Sequence, residues 1–124
     1  MAGAFRQAVE TRDVDAMAEA LDPAVTFRSP VVFKPYEGRD AVMMLLSLVT
    51  QVFEDFRYVD ELEGADATCL LFRARVGDRE IEGIDYLKLG PDGKATELTV
   101  MVRPYSAATA LRDAMAAKLE AASA

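Results

Sequence analysis

Histidine and tryptophan are absent from the sequence, and cysteine occurs once, at Cys69. Without histidine there is no Ser-His-Asp or Cys-His nucleophile, none of the usual zinc sites and no imidazole base. A single cysteine excludes an intramolecular disulfide and a metal site built from several cysteines, so we expect Cys69 to be a small buried apolar residue. We therefore expect no metal and no cofactor, and any acid–base chemistry must depend on carboxylates, tyrosines or lysines.

Long apolar runs and an excess of positive charge are also missing. The longest apolar run, residues 41–46, is far shorter than the roughly 20 residues of a membrane span, and residues 1–10 lack the apolar core of a signal peptide. The 14 basic and 21 acidic side chains give a net charge of −7, which repels a phosphate backbone. We expect a cytoplasmic protein that binds neither membrane nor nucleic acid.

The composition that remains is that of one folded domain spanning residues 1–124. Its apolar residues make up 52% and its charged residues 28% of the chain, which is typical of globular proteins. A chain of 124 residues is long enough to bury one core.

Helical spacing and turn residues alternate in the first part of the chain. Apolar residues between Phe5 and Leu21 recur every three to five positions, which predicts two short helices or one kinked helix. Asp13 is a candidate N-cap for the second piece. Asp22-Pro23 is expected to end the helical stretch, and residues 24–29 are expected to form a short strand.

An apolar loop and a long helix follow. Residues 29–38 contain two prolines and a glycine, which favour a loop, yet they also carry Phe33 and Tyr36. Residues 39–53 have a broad apolar face at helical spacing, with Asp40 in the first turn where the helix dipole favours it.

The spacing then changes to a period of two, which indicates strands. Residues 56–63, 67–76, 80–89 and 95–103 are four strand candidates separated by short turns rich in glycine, so we expect consecutive antiparallel hairpins. Helical spacing returns in residues 106–121. The order predicts an α+β fold in which helices cover one face of a curved, mostly antiparallel sheet, with an extra C-terminal helix.

Asp85 is the most unusual residue of the strand region. Alternation places it on one strand face with Ile81, Gly83 and Leu87. Burial among apolar neighbours would raise the pKa of this carboxyl group, and perturbed carboxyl groups mark candidate sites. In the alternative, Asp85 is structural and pairs with Arg73, Arg75 or a backbone amide. The two arginines are otherwise expected to face solvent or the acidic residues of the neighbouring strand, Asp60, Glu61 and Glu63.

The element order, the stretch VETRDVDAMAEALDPAVTFRSP (residues 9–30), the passage YEGRDAV (36–42) and the stretch IDYLKLGPDGKATEL (84–98) resemble the nuclear transport factor 2-like superfamily. The most similar branches are the SnoaL-like proteins and the ketosteroid isomerases. The resemblance implies a cone-shaped cystatin-like α+β roll, a deep pocket between sheet and helices, and a homodimer formed through the outer face of the sheet.

The ketosteroid isomerases use a carboxylate base, a tyrosine and a protonated aspartic acid. The resemblance places Ser29 at the position of the base and Phe5 at the position of the tyrosine. Neither side chain can do that chemistry, whereas Asp85 matches the aspartic acid.

Two functional hypotheses remain open at this point. In the first, a pocket binds a small apolar molecule and Asp85 assists a proton transfer of the isomerase, cyclase or dehydratase type. In the second, the domain binds a ligand or forms a dimeric scaffold without catalysis. Tyr58 is either a pocket residue or a core residue. The candidate pocket residues are Phe5, Ser29, Phe33, Tyr36, Phe56, Tyr58 and Leu87.

Overall fold

The computed structural model describes residues 3–123, which fold into one curved open sheet and the helices that cover it. The helices are α1 (Gly3–Glu10), α2 (Val14–Glu19), α3 (Arg39–Val52) and α4 (Tyr105–Ser123). The strands are β1 (Leu21–Arg28), β2 (Tyr36–Glu37), β3 (Glu54–Glu63), β4 (Ala67–Val76), β5 (Arg79–Leu89) and β6 (Ala95–Arg103). The α+β architecture predicted from the sequence is confirmed.

The N-terminal apolar stretch forms two helices. Asp13 caps α2, since its carboxylate accepts a hydrogen bond from the Ala16 amide at 3.0 Å, as its position before an apolar run predicts. The prediction that Asp22-Pro23 ends the helix is wrong. The helix ends at Glu19 and β1 already begins at Leu21, because Leu21 pairs with Ala95 of β6.

The loop after β1 contains a strand that the sequence did not predict. Tyr36 and Glu37 pair with Phe27 and Thr26, and the Gly38 amide donates to the Val25 carbonyl at 2.8 Å. Two residues are too few to produce a recognisable alternation, which explains why the pattern indicated only a loop.

The strands from β3 to β6 form three successive antiparallel hairpins, with bounds within two residues of those predicted. The sheet order is β2-β1-β6-β5-β4-β3, so β1 joins the far side of β6, and these two strands run parallel. The helices lie against one face of this sheet, and α4 contacts α3 as well as β4, β5 and β6.

Alternation along β4 and β5 separates a buried inner face from an outer face. Thr68, Leu70 and Phe72 of β4 are buried, whereas Cys69 lies on the outer face and is only half-buried. The expectation that Cys69 is buried in the core is therefore wrong, because its position in the alternation places it opposite Leu62 on the outer side.

Gly83 on the inner face of β5 allows an unusually close approach of an aromatic ring. A Cβ atom at this position would lie 2.6 Å from Cζ of Phe72 and 2.5 Å from the Met101 carbonyl oxygen. Glycine is required here because the ring of Phe72 occupies the space that any side chain would need.

Among the residues described, no helix is long and apolar enough to cross a membrane.

Candidate active site

A cavity of about 260 Å³ lies between the inner face of the sheet and the helices. Its wall is predominantly aliphatic and aromatic, which suits an apolar small molecule. All four helices, the loop after β1 and every strand except β4 contribute side chains to it. The lining includes Phe5, Val9, Met17, Phe27, Tyr36, Leu45, Leu46, Val49, Phe53, Phe56, Leu98, Val100, Leu111, Met115 and Leu119.

Asp85 and Tyr58 form a buried polar pair in this wall. The Tyr58 hydroxyl group donates a hydrogen bond to Oδ2 of Asp85 at 2.6 Å, and both residues line the cavity. Asp85 is 8% exposed and Tyr58 is 7% exposed. The alternation of β5 predicted the inward position of Asp85, and the structure adds the phenol of β3 as its partner.

Burial perturbs both groups of this pair. Loss of solvation raises the pKa of Asp85 to about 6, although the hydrogen bond from Tyr58 acts in the opposite direction by stabilising the carboxylate. Burial, and secondly the negative charge of Asp85, raise the pKa of the Tyr58 phenol well above its usual range. Asp85 is therefore the group that changes its protonation near neutral pH, while Tyr58 stays a hydrogen-bond donor.

The alternative partners considered for Asp85 are engaged elsewhere. Arg73 binds Glu82 at 3.1 Å, and Arg75 binds Asp55 at 3.0 Å. Both arginines lie on the outer side of β4, so the strand separates them from Asp85. Both arginines are partly exposed, as expected for solvated charges, and their partners in these two ion pairs are Glu82 and Asp55 rather than the alternative partners Asp60, Glu61 and Glu63.

A cluster of aromatic rings packs against Tyr58 of the Asp85–Tyr58 pair. The ring of Phe56 lies edge-on to Tyr58 with centroids 5.0 Å apart and stacks on Phe72 at 4.9 Å. Because the close approach at Gly83 fixes Phe72, the chain of rings holds the Tyr58 phenol in position.

Arg6 of α1 covers the other side of the tyrosine. Its guanidinium carbon lies 5.6 Å from the centre of the Tyr58 ring, and the group also binds Glu61 at 2.9 Å and Glu10 at 3.3 Å. A guanidinium group over an aromatic face is attracted by the ring quadrupole, so α1 is tied to β3 at this point.

Most of the predicted pocket residues meet at the cavity. Phe5, Ser29, Tyr36, Phe56 and Tyr58 line it together with Asp85. The Ser29 hydroxyl group accepts from the Val31 amide at 3.1 Å, so it stabilises the turn of the loop after β1.

Two predicted pocket residues lie elsewhere. Phe33 is 100% exposed and is not part of the cavity wall, because the loop directs it to solvent while Pro30, Val31 and Val32 line the cavity in its place. Leu87 is fully buried within the main core, two residues beyond Asp85 on the inner face, and does not reach the cavity.

Sequence reasoning missed two contributions to the cavity. Helix α4 provides Leu111, Met115 and Leu119, whose helical spacing was visible although the docking position of the helix was not. Arg12, between α1 and α2, also lines the cavity, and no feature of its sequence context distinguished it from a surface arginine.

Comparison with known proteins identifies the class to which a chain with this fold belongs. A sequence model of the SnoaL-like domain matches residues 2–103. The chain belongs to the SnoaL-like domain family, within the nuclear transport factor 2-like superfamily. No curated protein matches the sequence.

Solved structures extend this result. A steroid delta-isomerase from Pseudomonas aeruginosa is similar over 96% of this chain and 88% of its own, with 39% identity and a TM-score of 0.91. A bacterial protein with a cystatin-like fold from Silicibacter pomeroyi DSS-3 covers 95% of this chain and 84% of its own, with 32% identity and a TM-score of 0.90. An NTF2-like protein of unknown function from Cytophaga hutchinsonii ATCC 33406 shares the fold, with 23% identity, a TM-score of 0.65, and coverage of 83% of this chain and 87% of its own.

Proposed function

We propose that the protein binds a small apolar carbonyl compound in the cavity and transfers a proton of that compound through Asp85. The observation that carries this proposal is the position of the Asp85–Tyr58 pair, with a hydrogen bond of 2.6 Å, in a wall that is otherwise mostly apolar. In such surroundings few water molecules compete with a bound molecule for contact with the carboxyl group.

The protonation behaviour of Asp85 suits a group that both accepts and returns a proton. With a pKa near 6, its ionised and protonated forms are both accessible near neutral pH. The carboxylate takes a proton from the carbon next to a carbonyl group, the C–H electron pair forms the enolate, and the same acid returns the proton to another carbon or to oxygen. Reactions of the isomerase, cyclase or dehydratase type share this step.

The similarity to a steroid delta-isomerase supports the isomerase class without supporting that substrate. Ser29 and Phe5 occupy the positions that the family resemblance assigns to the base and the tyrosine. The other carboxylate in the cavity wall, Glu10, is bound to Arg6. One acidic group is thus available for the transfer, and we propose a substrate whose C–H bond is already acidic.

Proton abstraction can be tested with 2-tetralone, a compact apolar ketone that exchanges hydrogen next to its carbonyl group. In deuterated buffer, NMR should show faster deuterium incorporation with the wild-type protein than without protein. Asp85→Asn should remove most of the acceleration, because the amide keeps the shape of the side chain and has no base. Tyr58→Phe should shift the pH dependence of exchange upward, since the phenol lowers the pKa of Asp85.

The control is Glu82→Gln, which changes an acidic residue on the outer face of the same strand. This variant should accelerate deuterium incorporation into 2-tetralone as much as the wild type does. If Asp85→Asn accelerates exchange as strongly as the wild type, Asp85 is not the base and the proposal fails.

A second candidate function is binding without catalysis. It is favoured by the absence of a carboxylate at Ser29, which leaves a single acid to act on the ligand. This function predicts that 2-tetralone binds, as seen from shifts in the NMR signals of cavity residues, while deuterium incorporation stays at the rate without protein.

We further infer that the protein acts as a cytoplasmic homodimer through the outer face of the sheet. Leu62 is 58% and Met101 is 55% exposed on this face, beside the half-buried side chains of Leu71, Ile84 and Tyr86. Apolar residues grouped in this way favour association. Sedimentation should give the mass of two chains, and Leu62→Glu should give the mass of one; a wild-type monomer would contradict the inference.

A further inference from the structure

Arg12 lines the cavity from the junction of α1 and α2, in a backbone conformation that arginine rarely adopts. Its φ angle is +56°. The Arg12 amide donates to the Val9 carbonyl at 3.1 Å, and the next amide, that of Asp13, donates to the Ala8 carbonyl at 2.9 Å. This arrangement ends a helix with one left-handed residue, a position that glycine or asparagine usually occupies.

The backbone therefore does not explain why arginine stands at this position. A side chain with a Cβ atom is disfavoured in the left-handed region, and such outliers can indicate a function of the side chain. The side chain of Arg12 is exposed and lines the cavity. Its guanidinium group is thus available to a bound molecule.

The charge of Arg12 is not neutralised by the protein. Within residues 3–123 its side chain makes no ion pair and no hydrogen bond, whereas the other charged groups at the cavity edge have partners. Glu10 binds Arg6 at 3.3 Å, and Arg112 binds the neighbouring Asp113 at 3.2 Å. An anion entering the cavity would find its unpaired counter-charge at Arg12.

We propose that the ligand is an apolar carboxylic acid whose carboxylate is bound by Arg12 while its uncharged carbonyl end reaches Asp85. This inference rests on the proposed function, since it names the substrate class of the same cavity. One guanidinium group matches one carboxylate in charge and in the geometry of its donors. The two ends of the site also determine the orientation, because the ionised Asp85 repels the carboxylate that Arg12 attracts.

Matched probes can test this assignment by titration calorimetry. 2-Naphthylacetate carries an apolar ring system and a carboxylate, and 2-naphthylacetamide has the same shape without the charge. The wild-type protein should bind the acid roughly tenfold more tightly than the amide. Arg12→Gly should bind both probes with the affinity that the wild type shows for the amide. Arg12→Lys should retain part of the preference, since it keeps the charge.

The glycine variant suits this test because glycine is favoured at the backbone angle of residue 12. Its melting temperature should equal or exceed that of the wild type, so a loss of preference would not reflect unfolding. The charge-matched control is Lys34→Gln, which removes one positive charge from an exposed residue outside the cavity wall and should keep the tenfold preference.

Two results would overturn the inference in distinguishable ways. Equal affinity of the wild type for both probes, or an Arg12→Gly variant that keeps the preference for the acid, would remove the role of Arg12 and leave apolar binding intact. If neither probe bound the wild-type protein, binding of apolar molecules in the cavity would fail as well.

Discussion

Glu82 and Asp85 are acidic residues three positions apart on strand β5, and their surroundings are opposite. Glu82 lies on the outer face between Arg73 at 3.1 Å and Arg103 at 3.0 Å. Asp85 lies on the inner face and is bound by a phenol at 2.6 Å. Hydrogen bonds from the two arginines lower the pKa of Glu82, whereas burial raises the pKa of Asp85.

The difference shows that the two faces of one strand place chemically similar side chains in opposite environments. Alternation assigns one carboxyl group to solvent, where cations keep it ionised, and the other to the cavity, where its charge is costly. The outer acid contributes to the surface of the sheet. The inner acid weakens the fold at neutral pH, which is typical of a functional group.

The inner face should tolerate little change beside Asp85. Gly83→Ala would place a Cβ atom 2.5 Å from the Met101 carbonyl oxygen and 2.6 Å from the ring of Phe72. Because the Met101 carbonyl is a backbone group, relieving this steric clash requires movement of β6 as well as of the Phe72 ring. Denaturant unfolding should show a loss of stability of about 4 kcal/mol, which is large for a single methyl group.

Gly64→Ala is the matched control in the turn between β3 and β4. A Cβ atom there would lie at an ordinary 3.4 Å from the Ala67 carbonyl oxygen. The control should change stability only slightly. A Gly83→Ala protein as stable as this control would mean that Phe72 is not held against the strand.

Replacing Asp85 by asparagine should make the protein more stable at neutral pH. The folded state binds the proton of Asp85 up to about pH 6, whereas the unfolded chain releases it near 3.8. The wild type therefore loses stability as the pH rises through this interval, by roughly 3 kcal/mol at about 1.4 kcal/mol per pKa unit. Asparagine escapes this loss and still accepts the Tyr58 hydrogen bond.

Denaturant unfolding of both proteins from pH 4 to pH 8 measures the effect. The stability difference should be near zero at the acid end and reach its full value above pH 7. An equal difference at all pH values would show that ionisation of Asp85 is not its source.

The sequence predicted the inner position of Asp85 because strand alternation is a local property. The bounds of β4 to β6 and the helical face of α3 followed for the same reason, since turn residues and periodicity need no distant partner.

Long-range contacts could not be predicted in this way. Nothing local indicated that Leu21 would pair with Ala95, that Tyr58 would reach across the sheet to Asp85, or that α4 would close the cavity. The place of Arg12 in the cavity wall was missed because it depends on how α1 and α2 pack and on a left-handed backbone angle, neither of which is visible in a sequence.

The outer acid should give the smallest effect and the opposite sign. The lowered pKa of Glu82 stabilises the fold above its unfolded value of 4.5, and this contribution is lost as the pH falls through the folded value. Glu82→Gln should therefore reduce stability slightly at pH 7, by much less than Asp85→Asn increases it, because Arg73 and Arg103 are well exposed. Added salt should diminish the Glu82→Gln effect and leave that of Asp85→Asn nearly unchanged, since ions screen exposed charges and not buried ones. If both variants responded equally to salt, the two faces of β5 would not differ in solvation, and the raised pKa of Asp85 would need another cause.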